Sequence, residues 1–121
     1  MINKDLIELQ EGCKATCVVI LDEEINKLDS KIVISSKSSD SELYVKLKEN
    51  VFDNEKIHYL IVKDIDEINE NEQDKYYQMV KDRELYGHKL PENIIIVLTV
   101  KNRESLKRIS QELYKFCVVA F

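Results

Sequence analysis

Apolar residues gather along this chain in two kinds of pattern. Short β-branched runs stand at Lys31-Ile-Val-Ile-Ser35, Ile57-His-Tyr-Leu-Ile-Val62 and Ile94-Ile-Ile-Val-Leu-Thr99. They are largely apolar on both faces, which is how a buried strand of a parallel sheet reads. A fourth run, Phe116-Cys-Val-Val-Ala-Phe121, closes the sequence, and a weaker strand candidate, Asp5-Leu-Ile-Glu-Leu9, opens it. The second pattern is the helical stripe. Val18, Leu21, Ile25 and Leu28 step by three and four, so one apolar face is predicted there. Residues 15–21 would also suit a strand, but the stripe continues to Leu28 and favours a helix.

Ser39-Asp-Ser-Glu42 supplies capping chemistry ahead of Leu43, Tyr44 and Leu47. The segment 69–83 is polar at first and then sets Tyr76, Met79 and Val80 on one side. Residues 101–114 repeat that pattern with Leu106, Ile109 and Leu113. The predicted order is β-α-β-α-β-α-β-α-β. Strands joined by helices call for a parallel sheet with right-handed crossovers and helices on both faces. Only two glycines and one proline punctuate the chain, so the connections are short polar turns.

Composition narrows the class. A chain of 121 residues, 44% hydrophobic and 34% charged, is expected to form one globular domain over 1–121. No apolar run approaches the ~20 residues of a membrane helix. The amino terminus has no basic segment followed by a long apolar stretch, so a cytoplasmic protein is expected. Net charge is −5, which gives no bulk attraction for nucleic acid phosphates. Lys101, Arg103, Lys107, Arg108 and Lys115 form a basic set, but acids interrupt it and no aromatic platform accompanies it. It reads as a solvated helix face. Cys13, Cys17 and Cys117 are an odd, sparse set, read as reduced thiols. No metal site is expected from them, because no second ligand group stands at the right spacing.

Other chemistry is thin. His58 sits within an apolar run and His88 in a turn, each without an evident nucleophile partner. The acidic run Asp64, Asp66, Glu67, Glu70, Glu72 and Asp74 lacks the glycine and the full ligand set of a calcium loop. Acids at a helix start, favoured by its dipole, account for it.

The informative stretch runs from Lys63-Asp-Ile-Asp-Glu-Ile68 through Asp82-Arg-Glu-Leu85 to Lys89-Leu-Pro-Glu-Asn-Ile-Ile-Ile-Val-Leu98. It resembles the Walker B to sensor 1 region of MoxR-type AAA+ ATPases. There an apolar strand ends in an acidic pair, a helix leads to a Leu-Pro turn, and a second apolar strand comes after it. The resemblance implies an α/β, three-layer, P-loop NTPase-like core. Such a core has a five-stranded, mostly parallel sheet with helices on both faces, its first strand lying between the fourth and fifth. The resemblance stops before the helical lid, so no lid domain is expected.

Carried over position by position, the resemblance implies losses. The phosphate loop falls on Glu8-Leu-Gln-Glu-Gly12-Cys-Lys14-Ala15, of which only Lys14 remains, as a phosphate contact or an ordinary surface lysine at a helix start, with Gly12 alongside and Thr16 next door. A working loop needs glycines for backbone approach, a lysine for the β and γ oxygens and a hydroxyl for Mg²⁺. The metal-binding aspartate becomes Lys63 and the glutamate after it Asp64. A shifted alignment through Asp66-Glu67 would restore an acidic pair but spoils the downstream spacing. Sensor 1 falls on Lys101, with Asn102 one residue late. The arginine finger at the subunit boundary becomes Lys115, which keeps charge but loses the bidentate fork.

The resulting expectation is a pseudo-ATPase, a non-catalytic core acting as an interaction or scaffold module without a cofactor. Its partner is expected to be a protein, either an active AAA+ subunit or another copy of itself. Two alternatives stand beside it. One is an ATP-binding protein with weak or no hydrolysis, using ATP and Mg²⁺. The other is a receiver- or flavodoxin-like regulatory domain, in which Asp64 and Lys101 would imitate a phosphoacceptor and its lysine. Strand order separates these folds.

Overall fold

The computed structural model of the protein describes residues 17–29, 31–39, 41–42, 45, 58–85, 88–90 and 93–120. Among the described residues, five strands form one sheet: β1 (Cys17–Leu21), β2 (Lys31–Ser35), β3 (His58–Lys63), β6 (Ile94–Val100) and β7 (Cys117–Val119). Two short antiparallel strands, β4 (Glu84–Leu85) and β5 (His88–Lys89), make a separate hairpin. The main sheet is parallel throughout, in the order β2-β3-β6-β1-β7. Its first described strand therefore lies between the fourth and the fifth. A flavodoxin- or receiver-type sheet runs 2-1-3-4-5, so the strand order sets that alternative aside.

Successive side chains of a strand point to opposite faces, and here both faces are buried. Cys17, Val19, Leu60, Val62, Ile96 and Leu98 enter one core with Tyr76, Met79, Val80, Ile109 and Leu113. Val18, Ile20, Tyr59, Ile61, Ile95 and Val97 enter the other, with Ile25, Leu28 and Ala120. The first core is roofed by α1 (Glu70–Gln73), a 3-10 turn (Asp74–Tyr76) and α2 (Tyr77–Asp82), with α3 (Gln111–Tyr114) added later in the chain. Each fully buried Leu or Ile contributes roughly 1.5–3 kcal/mol, so the two layers on β3 and β6 dominate the stability of the sheet.

Residues 17–21 correct the helix expected there: they form the penultimate strand of the sheet. The misleading stripe has a physical origin. Val18 points to the second core, and the chain then leaves β1 in a 3-10 turn (Asp22–Lys27) that folds Ile25 and Leu28 back onto that same core. Leu21, the remaining member of the stripe, packs against the first core instead, so the three-and-four spacing does not mark one face. The strand candidate at 5–9, the helix positions Leu43, Tyr44 and Leu47, and the candidates Gly12, Lys14 and Thr16 lie outside the described residues.

The helix expected over 101–114 is divided. Its first part is a 3-10 segment (Arg103–Arg108), and α3 begins only after Ser110. Ser110 is the cap: its hydroxyl accepts the Leu113 N–H at 3.3 Å. Gln73, fully buried, holds the break together. Its amide donates to the carbonyls of Ile68 (3.1 Å) and Arg108 (2.7 Å), and its oxygen accepts the Ser110 N–H at 2.7 Å.

Candidate functional site

The carboxyl ends of β1, β3 and β6 meet at one edge of the sheet. The chain leaves β1 toward β2 and leaves β6 toward β7, so neighbouring connections part in opposite directions there. Open α/β sheets bind ligands at such a switch point. A cleft of about 550 Å³ opens at this edge, lined by Asp22, Lys63, Asp64, Asp66, Glu67, Lys101, Asn102, Ser105 and Arg108.

Six of the sequence candidates, Lys63, Asp64, Asp66, Glu67, Lys101 and Asn102, are thus brought together. Lys115 is not among them. It lies on a different groove beside Tyr114, paired with Glu112 at 3.1 Å. Asp22, Thr99, Ser36 and Arg108 belong to this edge although sequence reasoning did not place them there. Thr99 had a signal: it is the lone hydroxyl in a strand that is buried from end to end. Asp22 was hidden by the reading of 15–28 as a helix, which left no strand end for it to mark.

Three backbone ties fix Asp64. Its N–H donates to the Thr99 hydroxyl at 3.0 Å, and its carbonyl accepts from the Ser36 hydroxyl at 2.7 Å and from the Glu67 N–H at 3.0 Å. They hold the residue in the left-handed region, φ 62° and ψ 45°, which Asp tolerates better than most side chains. Thr99 donates its own hydroxyl proton to Asp22 Oδ1 at 3.1 Å. One buried hydroxyl therefore joins the ends of β1 and β3 across β6.

Lys63 is the last residue of β3, and its ammonium lies 3.8 Å from Asp22 Oδ2. Asp66 and Glu67 come after it in a 3-10 turn (Ile65–Glu67), so the strand ends on Lys63-Asp64 and not on the shifted acidic pair. Asp66 is buried, and its Oδ2 accepts the Lys101 N–H at 3.3 Å. Glu67 pairs with Lys37 at 3.3 Å. Asn102 is engaged structurally: its side-chain oxygen caps the 3-10 segment by accepting the Ser105 N–H (3.0 Å) and hydroxyl (3.1 Å).

The acids of the cleft differ in proton affinity. Burial, then the neighbouring Asp22 carboxylate and the hydrogen bond shared with Glu67, push Asp64 above the usual carboxylate range. Lys37, then the bond to Asp64, hold Glu67 below it. The cleft lining carries both signs of charge, with no group of three or more acid, His or Cys ligands arranged for a metal among the described residues. No helix among them is long and apolar enough to cross a membrane.

This architecture is an α/β, P-loop-like core. The fold is similar to a mutant of RuvB from Thermotoga maritima, with a TM-score of 0.55, 13% identity, and coverage of 94% of this chain and 40% of that one. It is equally similar to the Thermotoga maritima RuvB Holliday junction branch migration motor, with a TM-score of 0.55, 11% identity, and coverage of 97% and 43%. The chain spans about two fifths of the length of these structures. Its sequence matches no protein-family model and no curated protein.

Proposed function

We propose that this chain is a non-catalytic AAA+-type core, a pseudo-ATPase that serves in the cytoplasm as a protein-interaction module. The observation that carries this reading is the segment directly after β1. In a P-loop core the phosphate cradle comes immediately after the first strand, where glycine lets backbone N–H groups close on the phosphates. Here that place is the turn Asp22-Glu-Glu-Ile-Asn-Lys27, with three acids in its first turn. Between Gly12 and Gly87 the sequence has no glycine at all. Carboxylates at the strand end repel a triphosphate, and side chains with Cβ atoms keep the backbone away from it.

Residues 8–15 precede β1 in the chain. On this reading Gly12, Lys14 and Thr16 therefore do not serve as the phosphate loop, in contrast to the assignment that the resemblance implies. The remaining positions agree with loss of catalysis. Lys63 puts a cation where a metal ligand is required and is already paired with Asp22. Mg²⁺–ATP does not fit this set of residues.

The partner, on this reading, is a protein: an active AAA+ subunit or a second copy of this chain. Calorimetric titration with ATP and Mg²⁺, together with a phosphate-release assay, tests the proposal. Neither binding heat nor turnover is expected. ATP turnover that disappears on Asp64→Asn or Lys101→Ala would overturn it. A second reading, nucleotide binding without hydrolysis, draws on Lys63, Lys101 and Arg108 lining the cleft. Binding heat without phosphate release, lost on Lys101→Glu, would support it instead.

A further inference from the structure

Outside the cleft, the most unusual arrangement of reactive groups lies at the other side of β1. Cys17 and Cys117 are direct partners in the parallel register of β1 and β7. Both side chains enter the same core. Their sulfur atoms stand 2.7 Å apart, and both are free thiols. Adjacent strands are about 4.8 Å apart, within the Cα separation that a disulfide spans. No backbone movement is needed to bring the sulfurs together.

We infer that Cys17 and Cys117 form an oxidant-responsive pair that closes reversibly into a disulfide between β1 and β7. The two thiols have unequal parts in it. Cys17 is fully buried, whereas Cys117 lies half-buried on the last strand of the sheet and donates its S–H to the Leu113 carbonyl at 3.2 Å. Burial, then the contact with Cys117, holds the Cys17 thiol well above its ordinary range, so it is a poor source of thiolate. The oxidant, a peroxide, therefore meets Cys117 first. The Cys117 thiolate attacks one peroxide oxygen, the O–O bond breaks, and a sulfenic acid and water result. The Cys17 sulfur then displaces that hydroxyl as a second water, and its proton leaves with it. Two thiols are oxidised by two electrons and one hydrogen peroxide is reduced to two waters. A small-molecule thiol reverses the bond by exchange.

This inference is independent of the proposed loss of ATPase chemistry. Its consequence is mechanical. The bond would tie β7, and through it α3, covalently to β1.

Trypsin makes the test direct, because cleavage after Lys14, Lys27 and Lys115 puts the three cysteines on separate peptides. The full chain is treated with hydrogen peroxide, alkylated and digested without reduction. The expected product is Ala15–Lys27 linked to Phe116–Phe121, with accessible thiols falling from three to one on denaturation. The urea midpoint should shift upward after oxidation and return with dithiothreitol. A Cys117→Ser variant should leave Cys17 reduced under the same peroxide treatment. Linkage through the Asp5–Lys14 peptide, or three fully alkylated cysteines, would overturn the pair. Oxidation of Cys17 in Cys117→Ser would overturn the order of attack.

Discussion

Asp64 concentrates the electrostatics of the cleft in one residue, and its role was only half legible. The sequence places it beside Lys63 at the end of an apolar run, which is where the structure has it. What it could not display is Asp22, brought in from the turn after a strand far away in the chain, or the three hydrogen bonds that hold Asp64 at φ 62°. Its carboxyl is held above the usual range, so the folded state binds that proton more tightly than the unfolded chain does. Ionisation therefore costs stability as pH rises from about 4 through the folded-state value. Asn tolerates the same backbone region and removes the charge. Asp64→Asn is expected to raise the stability measured by urea denaturation at pH 7, by less than about 1 kcal/mol because solvent screens this partly exposed site. The gain should vanish near pH 3.5, about half a unit below the unfolded carboxylate value. Glu67 should behave in the opposite sense, since Lys37 lowers its carboxyl: that contribution is present at neutral pH and fades as pH falls through the folded-state value. A lower midpoint for Asp64→Asn at pH 7 would contradict the assignment of Asp22 and Glu67 as its repulsive neighbours.

Elements were legible in proportion to how far one rule decided them. The runs at 31–35 and 94–99 are apolar on both faces, and strands β2 and β6 appear there. The run at 17–21 is of the same kind, yet the turn after it reused its face and disguised it. The helical segments kept their buried positions Tyr76, Met79, Val80, Ile109 and Leu113, but not their continuity. Continuity depends on where orphan backbone groups find partners, and at Ser110 the partner is a side chain remote in sequence. Gln73 satisfies two carbonyls and one N–H at once. Gln73→Leu keeps much of the volume and removes all three bonds. Leaving buried groups unpaired costs about 1–3 kcal/mol each, and partial relaxation should hold the total near ~3 kcal/mol. Urea denaturation would measure it. A variant within about 0.5 kcal/mol of the parent, below the cost of even one lost bond, would show that α1 and α3 are not clamped through this amide.

At the scale of the whole molecule, the strand order and the sequence losses bear on each other. The resemblance predicted a first strand between the fourth and fifth, and the sheet has that order, but with 17–21 as its first described strand in place of 5–9. That shift changes how the proposed loss of ATPase chemistry is understood. Had the phosphate loop simply mutated, single residues would separate this chain from an active one. Instead, only residues 22–30 connect β1 to β2, nine positions in all. The phosphate-binding motif alone takes about eight residues and leads into a helix in a working core. Nine residues that must also cross over β6 and β3 have no room for both. On the proposed reading Lys63 goes with that short crossover: a strand end that holds no metal can carry a cation, and here it pairs with Asp22. Lys63→Asp separates the two accounts. Placing there the aspartate that the resemblance implies should give no heat with ATP and Mg²⁺ up to millimolar concentration. It should also lower the urea midpoint, because the new carboxylate would meet Asp22 and Asp64. Micromolar ATP binding by Lys63→Asp would mean that a phosphate site exists elsewhere in the chain, and that the lysine alone had been holding the nucleotide out.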